Sequence, residues 1–245
     1  MHNSSDFPSF TELDCDGAIQ EAAANVDGIT RAAFMRRTAA FAGGAVAASA
    51  FPIAMAQAAS GALPSGDLAI LNYALTLEYL EAAFYKDALR KGALSGETKH
   101  FASVVYAHES AHVEALKKTL GSKAVKTPSF DFKSTTASQT TFQATSKTLE
   151  DTGVTAYLGQ AGAIKTPAVL AAAGSILPVE ARHAAWITNI IAKGSGSPSP
   201  APEAFQKSAT MSEVLSAVAE TGFITSSLPT AAAGSATSAQ PSMTG

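Results

Sequence analysis

The sequence predicts an all-α protein: a four-helix bundle with a long crossover between helices two and three, plus a short C-terminal helix. Three observations carry this. Four stretches of about 25 residues place apolar side chains at three- and four-residue spacing. No stretch of the 245 residues keeps the period-two alternation of a half-buried strand. Two short loops join helices one–two and three–four, while residues 121–137 return the chain along the bundle between the pairs. An apolar fraction of 47% supplies a core, and an alanine-rich chain with 7% aromatics suits helices in close contact.

Residues 1–58 precede the bundle and read as an address. Residues 1–30 are a polar extension. In 31–58, Arg36 and Arg37 precede an apolar, Ala/Gly-rich run from Ala39 to about Ala56. Ala54-Met55-Ala56 and Ala56-Gln57-Ala58 are small-x-small cleavage candidates. This is the layout of an export signal, too short and too weakly apolar for a good membrane span. The arginine pair points to the twin-arginine type. Thr30 to Met35 resembles that motif with its second Arg replaced by Ala, which leaves two registers open. A membrane anchor or an unstructured N-terminus is the plainer alternative. Cleavage after Ala58 leaves fourteen acidic and fourteen basic residues, net charge zero, and no cysteine. The mature chain is then expected to lack a stable membrane span.

The bundle is expected over residues 59–225. The first helix runs from about Ser65 to Lys91, with Leu71, Leu75, Glu78, Ala82, Tyr85 and Leu89 on one face and Gly92 as its stop. The second begins at Ser95, an N-cap with Glu97 in the first turn, and ends before Gly121; Phe101, Val105, Glu109, His112 and Leu116 face inward. The crossover contains Pro128 and Ser129-Phe-Asp-Phe132 and is read as loop. The third helix covers roughly Ser138 to Ala163, with Phe142, Ser146, Glu150, Val154 and Tyr157 on one side. The fourth starts at Thr166-Pro167 and reaches Lys193, with Leu177, Glu180, His183 and Ile187 inward. Pro178 inside it, one turn after Gly174, predicts a kink or local opening. Residues 194–200 form a Ser/Gly/Pro loop, and a fifth, amphipathic helix at about Ser212 to Glu220 packs outside the bundle. Residues 226–245 carry no charge and no aromatic and are expected to be disordered.

The charge balance excludes one function class. Seventeen Lys and Arg against twenty Asp and Glu give a net charge of −3, with no basic cluster for a nucleic-acid face. The single cysteine, Cys15, excludes a disulfide framework and a thiolate-rich metal site within the chain.

The inward faces carry the wrong residues for a plain core. Glu78, Glu109, Glu150 and Glu180 each fall within an apolar stripe, where a lone carboxylate costs several kcal/mol unless neutralised or paired. No Lys or Arg shares those stripes. Histidine does: Glu109-Ser-Ala-His112 and Glu180-Ala-Arg-His183 are both Glu-x-x-His, which sets both side chains on one helix face. The halves also repeat. Glu78 precedes Tyr85 by seven residues and Glu150 precedes Tyr157 by seven; Glu78 to Glu109 spans 31 and Glu150 to Glu180 spans 30. One Glu from each of two helices plus a Glu-x-x-His from each of the other two is the ligand set of di-iron and di-manganese carboxylate bundles. Four oxygens and two nitrogens suit two Fe or Mn ions better than a structural Zn. The expected metal residues are therefore Glu78, Glu109, His112, Glu150, Glu180 and His183.

Other residues draw plainer readings. Glu81, one turn from Glu78, is placed on the bundle edge or as an acceptor behind a ligand. His108 points about 100° away from Glu109 and is expected to be partly exposed rather than a ligand. Tyr85 and Tyr157 are either hydrogen-bond donors to ligand carboxylates, electron relays, or core tyrosines with a satisfied hydroxyl. Trp186 is expected in the core and His100 on the surface. No catalytic residue is assigned.

From Leu71 to about Ala192 the chain resembles the bacterial ferritin-like domain family, often exported by the twin-arginine route and described as desiccation-related. LNYALTLEYLEAAFY, YAHESAHVEAL, FDF, LEDTGVTAYLGQA and SILPVEARHAAWI carry the resemblance. It implies that Glu109 and Glu180 bridge two metals, with Glu78/His112 and Glu150/His183 as terminal pairs. It implies a periplasmic or secreted protein that reacts with O2 or peroxide in oxidative, iron or desiccation stress of the cell envelope. Ferroxidase, peroxidase and manganese-catalase-like activities are all compatible. Two Fe ions are expected first, since the manganese catalases compared lack a full second Glu-x-x-His; two Mn ions or a mixed Mn/Fe pair are the alternatives. The export machinery is the expected transport partner, nucleic acid is not a partner, and homo-oligomerisation is left open. The alternative function is a non-enzymatic metal-binding or structural stress protein. The fourteen mature acids argue against cage-type iron storage, and any reductant must come from a partner, since no cysteine site delivers electrons.

Overall fold

The computed structural model describes residues 63–193 and 195–226. The polar extension, the export segment, Cys15 and residues 227–245 lie outside the described residues. The elements are α1 (Ser65–Lys91), α2 (Gly96–Leu120), a 3₁₀ turn (Gly121–Lys123), α3 (Gln139–Ala161), α4 (Pro167–Ala192) and α5 (Met211–Thr221). Among the described residues there is no strand, only one isolated β-bridge.

The helix ends follow the local chemistry. Gly92 closes α1 in the left-handed region at φ 71°, donating its N–H to Ala88 O. Ser138 Oγ caps α3 by accepting from Thr141 N. Pro167 sits in the first turn of α4, where a missing N–H costs nothing. Thr210 and Glu213 form a reciprocal capping box on α5. Ser95 differs. It donates through N and Oγ to Gln139 Oε1, at 2.9 and 3.2 Å, tying the start of α2 to the start of α3.

α1 packs chiefly on α2 and α3 on α4, and the two pairs meet through α1–α3 and α2–α4. α1 buries far more than the expected stripe: every residue from Ile70 to Glu81 is buried. The segment ILNYALTLEYLE is apolar nearly all round, the pattern of an enclosed helix. On α4, Ile176 rather than Leu177 is the buried residue, and Leu177 is half-buried. α4 continues unbroken through Pro178, which lies exposed on its outer side. His100 is exposed as expected. Trp186 is not a core residue. It is half-buried between Phe101 and His100, with ring centroids at 5.2 and 5.6 Å, and its Nε1 donates to Glu97 Oε1 at 3.0 Å. The indole N–H needs such a partner, which draws the ring to the rim.

Polar side chains of α1 fix the connections. Asp67 accepts from Lys165 N and Thr166 N at 2.9 and 2.8 Å, so α1 holds the entry to α4. Burial raises its pKa, but these bonds lower it below the usual carboxylate range. Asn72 donates to Lys123 O and accepts from Val125 N, pinning the start of the crossover. Asp87 accepts from Thr136 Oγ1 at 2.6 Å and pins its end.

The segment at Phe130 is more than loop. Asp131 N donates to Phe223 O and Thr225 N to Ser129 O, pairing the crossover with the chain that leaves α5. Phe132 stacks edge-on against Phe84 and Phe223, so this pairing is anchored in the core. α5 buries Met211, Val214 and Val218 and lies against α3. Its approach depends on Gly159, where a Cβ would stand 1.9 Å from Ala209 O. That contact lets Ala209 N donate to Thr155 O at 3.1 Å.

Candidate metal centre

Helices α1 to α4 each bring at least one glutamate to the bundle axis. Glu78, Glu109, Glu150 and Glu180 are all 0% exposed. Glu109 and His112 share one face of α2, and Glu180 and His183 one face of α4, as three-residue spacing requires. His183 is 2% exposed, and His112 reaches the centre from the rim.

These side chains form two overlapping groups. Glu78, Glu109, His112 and Glu180 offer atoms within 4.8 Å of one another, and so do Glu109, Glu150, Glu180 and His183. Glu109 and Glu180 belong to both. His112 Nδ1 lies 3.1 Å from Glu78 Oε2, 3.1 Å from Glu109 Oε2 and 3.4 Å from Glu180 Oε1. His183 Nδ1 lies 3.1 Å from Glu109 Oε1 and 3.1 Å from Glu150 Oε2. The structure thus brings together all six residues that the repeat singles out.

Two tyrosines cross-link the halves. Tyr85 on α1 donates to Glu150 Oε1 on α3, and accepts from Ser146 Oγ at 2.5 Å. Tyr157 on α3 donates back to Glu78 Oε1 on α1. Of the readings for these tyrosines, the geometry selects hydrogen-bond donors to the outer carboxylates. Tyr85 is itself wedged edge-on among Phe84, Phe101 and Phe142.

Glu81 is not on the bundle edge. It is 4% exposed and belongs to the carboxylate cluster. Its place is opened by Gly153, whose added Cβ would stand 3.4 Å from Glu81 Oε1 and 2.8 Å from Glu180 Oε2. The signal was present in the repeat: Glu78-x-x-Glu81 on α1 matches Glu150-x-x-Gly153 on α3, so a large side chain meets the residue that makes room for it. His108 is exposed, as expected, yet its ring meets that of His183 edge to edge, 16° from parallel and 5.1 Å between centroids.

The electrostatics are those of crowded, desolvated acids. Burial, then the charges of Glu180 and Glu78, push Glu109 well above the usual carboxylate range. Burial, then Glu78 and Glu81, do the same to Glu180; burial, then Glu150 and Glu78, to Glu81. Glu78 runs the other way. Burial raises it, but the His112 charge and hydrogen bonds from His112 and Tyr157 bring it below its ordinary value.

The donor set fits a pair of cations. Glu109 Oε1 and both oxygens of Glu180 are buried without a hydrogen-bond partner, a costly state for a carboxylate. One imidazole N–H cannot serve the three carboxylates around His112. Two divalent cations match the charge of the four glutamates and give each orphaned oxygen a partner. Four oxygens and two imidazole nitrogens suit Fe or Mn. Among the described residues, no helix is long and apolar enough to cross a membrane.

Residues 66–193 match the family model described as a ferritin-like domain. None of the curated proteins compared matches the chain.

Proposed function

The chain belongs to the ferritin-like domain family, and on that premise we propose that it is a di-metal carboxylate protein that reacts with O2 or peroxide. One observation carries the reading: two four-residue groups share Glu109 and Glu180, of which Glu109 Oε1 and both oxygens of Glu180 are buried without a hydrogen-bond partner. Glu109 and Glu180, common to both groups, are the residues that two ions would share. Glu78 with His112, and Glu150 with His183, complete the two positions. Two Fe ions are the first candidates, with two Mn ions or a mixed pair as alternatives.

Redox-active ions held there supply electrons for the reduction of O2 or peroxide. The chain's own residues supply the setting. Tyr85 and Tyr157 hold the outer carboxylates in place, each from the opposite half. Phe101, Phe142, Leu75 and Ile187, all 0% exposed, keep bulk water from the axis. Glu81 adds a fifth buried carboxylate beside Glu180.

We place this protein in the periplasm or outside the cell, delivered folded by the twin-arginine machinery, in defence against oxidative, iron or desiccation stress. The export reading rests on the arginine pair and apolar run of residues 31–58. Peroxide-dependent oxidation of Fe(II) tests the activity. Many Fe(II) oxidised per chain support the reading. A fixed small number of bound ions without turnover overturns it in favour of metal sequestration.

A further inference from the structure

The two halves of the site are related by the internal repeat, so departures from the repeat mark where the halves differ. Overlaying Glu109-x-x-His112 on Glu180-x-x-His183 places His108 opposite Val179. His108 Nδ1 lies 2.8 Å from His183 Nε2, with the rings 16° from parallel. The other nitrogen of His183, Nδ1, faces Glu109 and Glu150. For that nitrogen to bind a cation it must present its lone pair, so the ring proton sits on Nε2. Buried at 2% exposure, that N–H must have an acceptor. His108 Nδ1 is the acceptor, and this places the proton of His108 on its own Nε2. Valine offers no such group, and among the described residues no protein atom pairs with His112 Nε2.

Glu81 is the second departure, replacing its repeat partner Gly153. It presents Oε1 3.4 Å from the Cβ position of Gly153, one turn from Glu150 on α3. His108 thus marks the side of Glu150 and His183, while Glu81 lies by Gly153 and Glu180, which both groups share.

We propose that His108 is a positioning residue that fixes the ring and tautomer of His183, so that the Glu150/His183 position fills first and holds its ion more tightly than the Glu78/His112 position. This rests on the di-metal reading above. Partners of a ligating imidazole contribute 10–100-fold to metal affinity, which sets the expected size of the difference at about tenfold or more.

Titration of the metal-free protein with Mn(II) alone, followed by the magnetic resonance signal of the free ion, gives the stepwise affinities. Wild type is expected to bind in two steps about tenfold or more apart. His108→Ala should weaken the tighter step by about tenfold and leave the weaker one unchanged. His108→Gln, whose amide oxygen can accept from His183 Nε2, should recover most of the loss. His108→Ala also removes the acceptor of a buried N–H, so its metal-free melting temperature is expected to fall somewhat, while that of His108→Gln should stay near wild type. Two equal affinities in wild type, an unchanged pair of steps in His108→Ala, or no recovery in His108→Gln overturns the proposal and leaves the di-metal reading standing. A wild type that binds neither Mn(II) nor, in a parallel anaerobic titration, Fe(II) overturns both.

Discussion

Tyr85 on α1 donates to Glu150 on α3, and the reciprocal bond runs from Tyr157 on α3 to Glu78 on α1. The Glu-x6-Tyr spacing within each half thus serves the other half. A tyrosine seven residues from its own glutamate lies two turns along the helix, level with the partner helix's glutamate.

Tyr85→Phe should therefore keep the fold and loosen the site. Phenylalanine fits the edge-on cluster of Phe84, Phe101 and Phe142, so the helices remain and stability falls by about 1–3 kcal/mol as two buried hydrogen bonds are lost. Metal affinity should fall about 10–100-fold as Glu150 loses its anchor. Thermal unfolding and a metal-competition titration, run side by side, separate the two effects. An unchanged affinity contradicts the positioning role.

Gly153→Ala should damage the site from within. The added Cβ meets Glu180 Oε2 at 2.8 Å and Glu81 Oε1 at 3.4 Å. Overpacking of this kind costs about 1–3 kcal/mol. Its effect on metal content should be large, because Glu180 serves both positions. Glu81→Ala in the same chain should restore part of the content by giving Glu180 room to shift. Full metal content in Gly153→Ala alone contradicts the tight packing of this cluster.

The helices were legible in the sequence because periodicity and end signals are local. Gly92, Ser138 and Pro167 end or start their helices where the residue types demand. The six Glu and His residues were legible because the halves repeat, and repetition separates an inward carboxylate from a solvated one. Of the two readings of Glu81, the bundle edge fails because a single apolar stripe was assigned to α1, whereas Ile70–Glu81 is buried on all sides. The pairing of Ser129–Phe132 with Phe223–Thr225 joins segments nearly a hundred residues apart, and no local pattern announces it. The exposure of His108 was legible, but its contact with His183 depends on how α2 and α4 meet.

Gly159→Ala should release α5. Its Cβ would overlap Ala209 O at 1.9 Å, closer than any side-chain adjustment can relieve, because the obstacle is backbone. The segment before α5 must move off α3, breaking the Ala209–Thr155 bond. A loss of about 1–3 kcal/mol is expected, with faster amide exchange confined to α5 and its flanks. Unchanged exchange there contradicts the docking described.

Asp87 gives a pH signature. Burial raises its carboxyl, but bonds from Lys91, Thr136 and Arg90 hold it down at about 2. A carboxyl depressed in the folded state stabilises above the unfolded pKa of about 4, and the gain is lost as pH falls toward 2. Asp87→Asn should therefore cost about 2 kcal/mol at pH 7. In urea unfolding the gap from wild type should hold from pH 7 to pH 5 and narrow below about pH 4. A gap that does not depend on pH contradicts the assignment.

The central claim is that the orphaned oxygens of Glu109 and Glu180 exist to hold two ions. Elemental analysis of metal per chain tests it most directly, on the full-length chain purified without chelator. Wild type is run beside Glu109→Ala/Glu180→Ala. About two Fe or Mn per chain in wild type, lost in a double variant that keeps its helical fold, is the predicted result. A metal-free wild type with an intact fold, and a double variant of equal stability, would contradict the account.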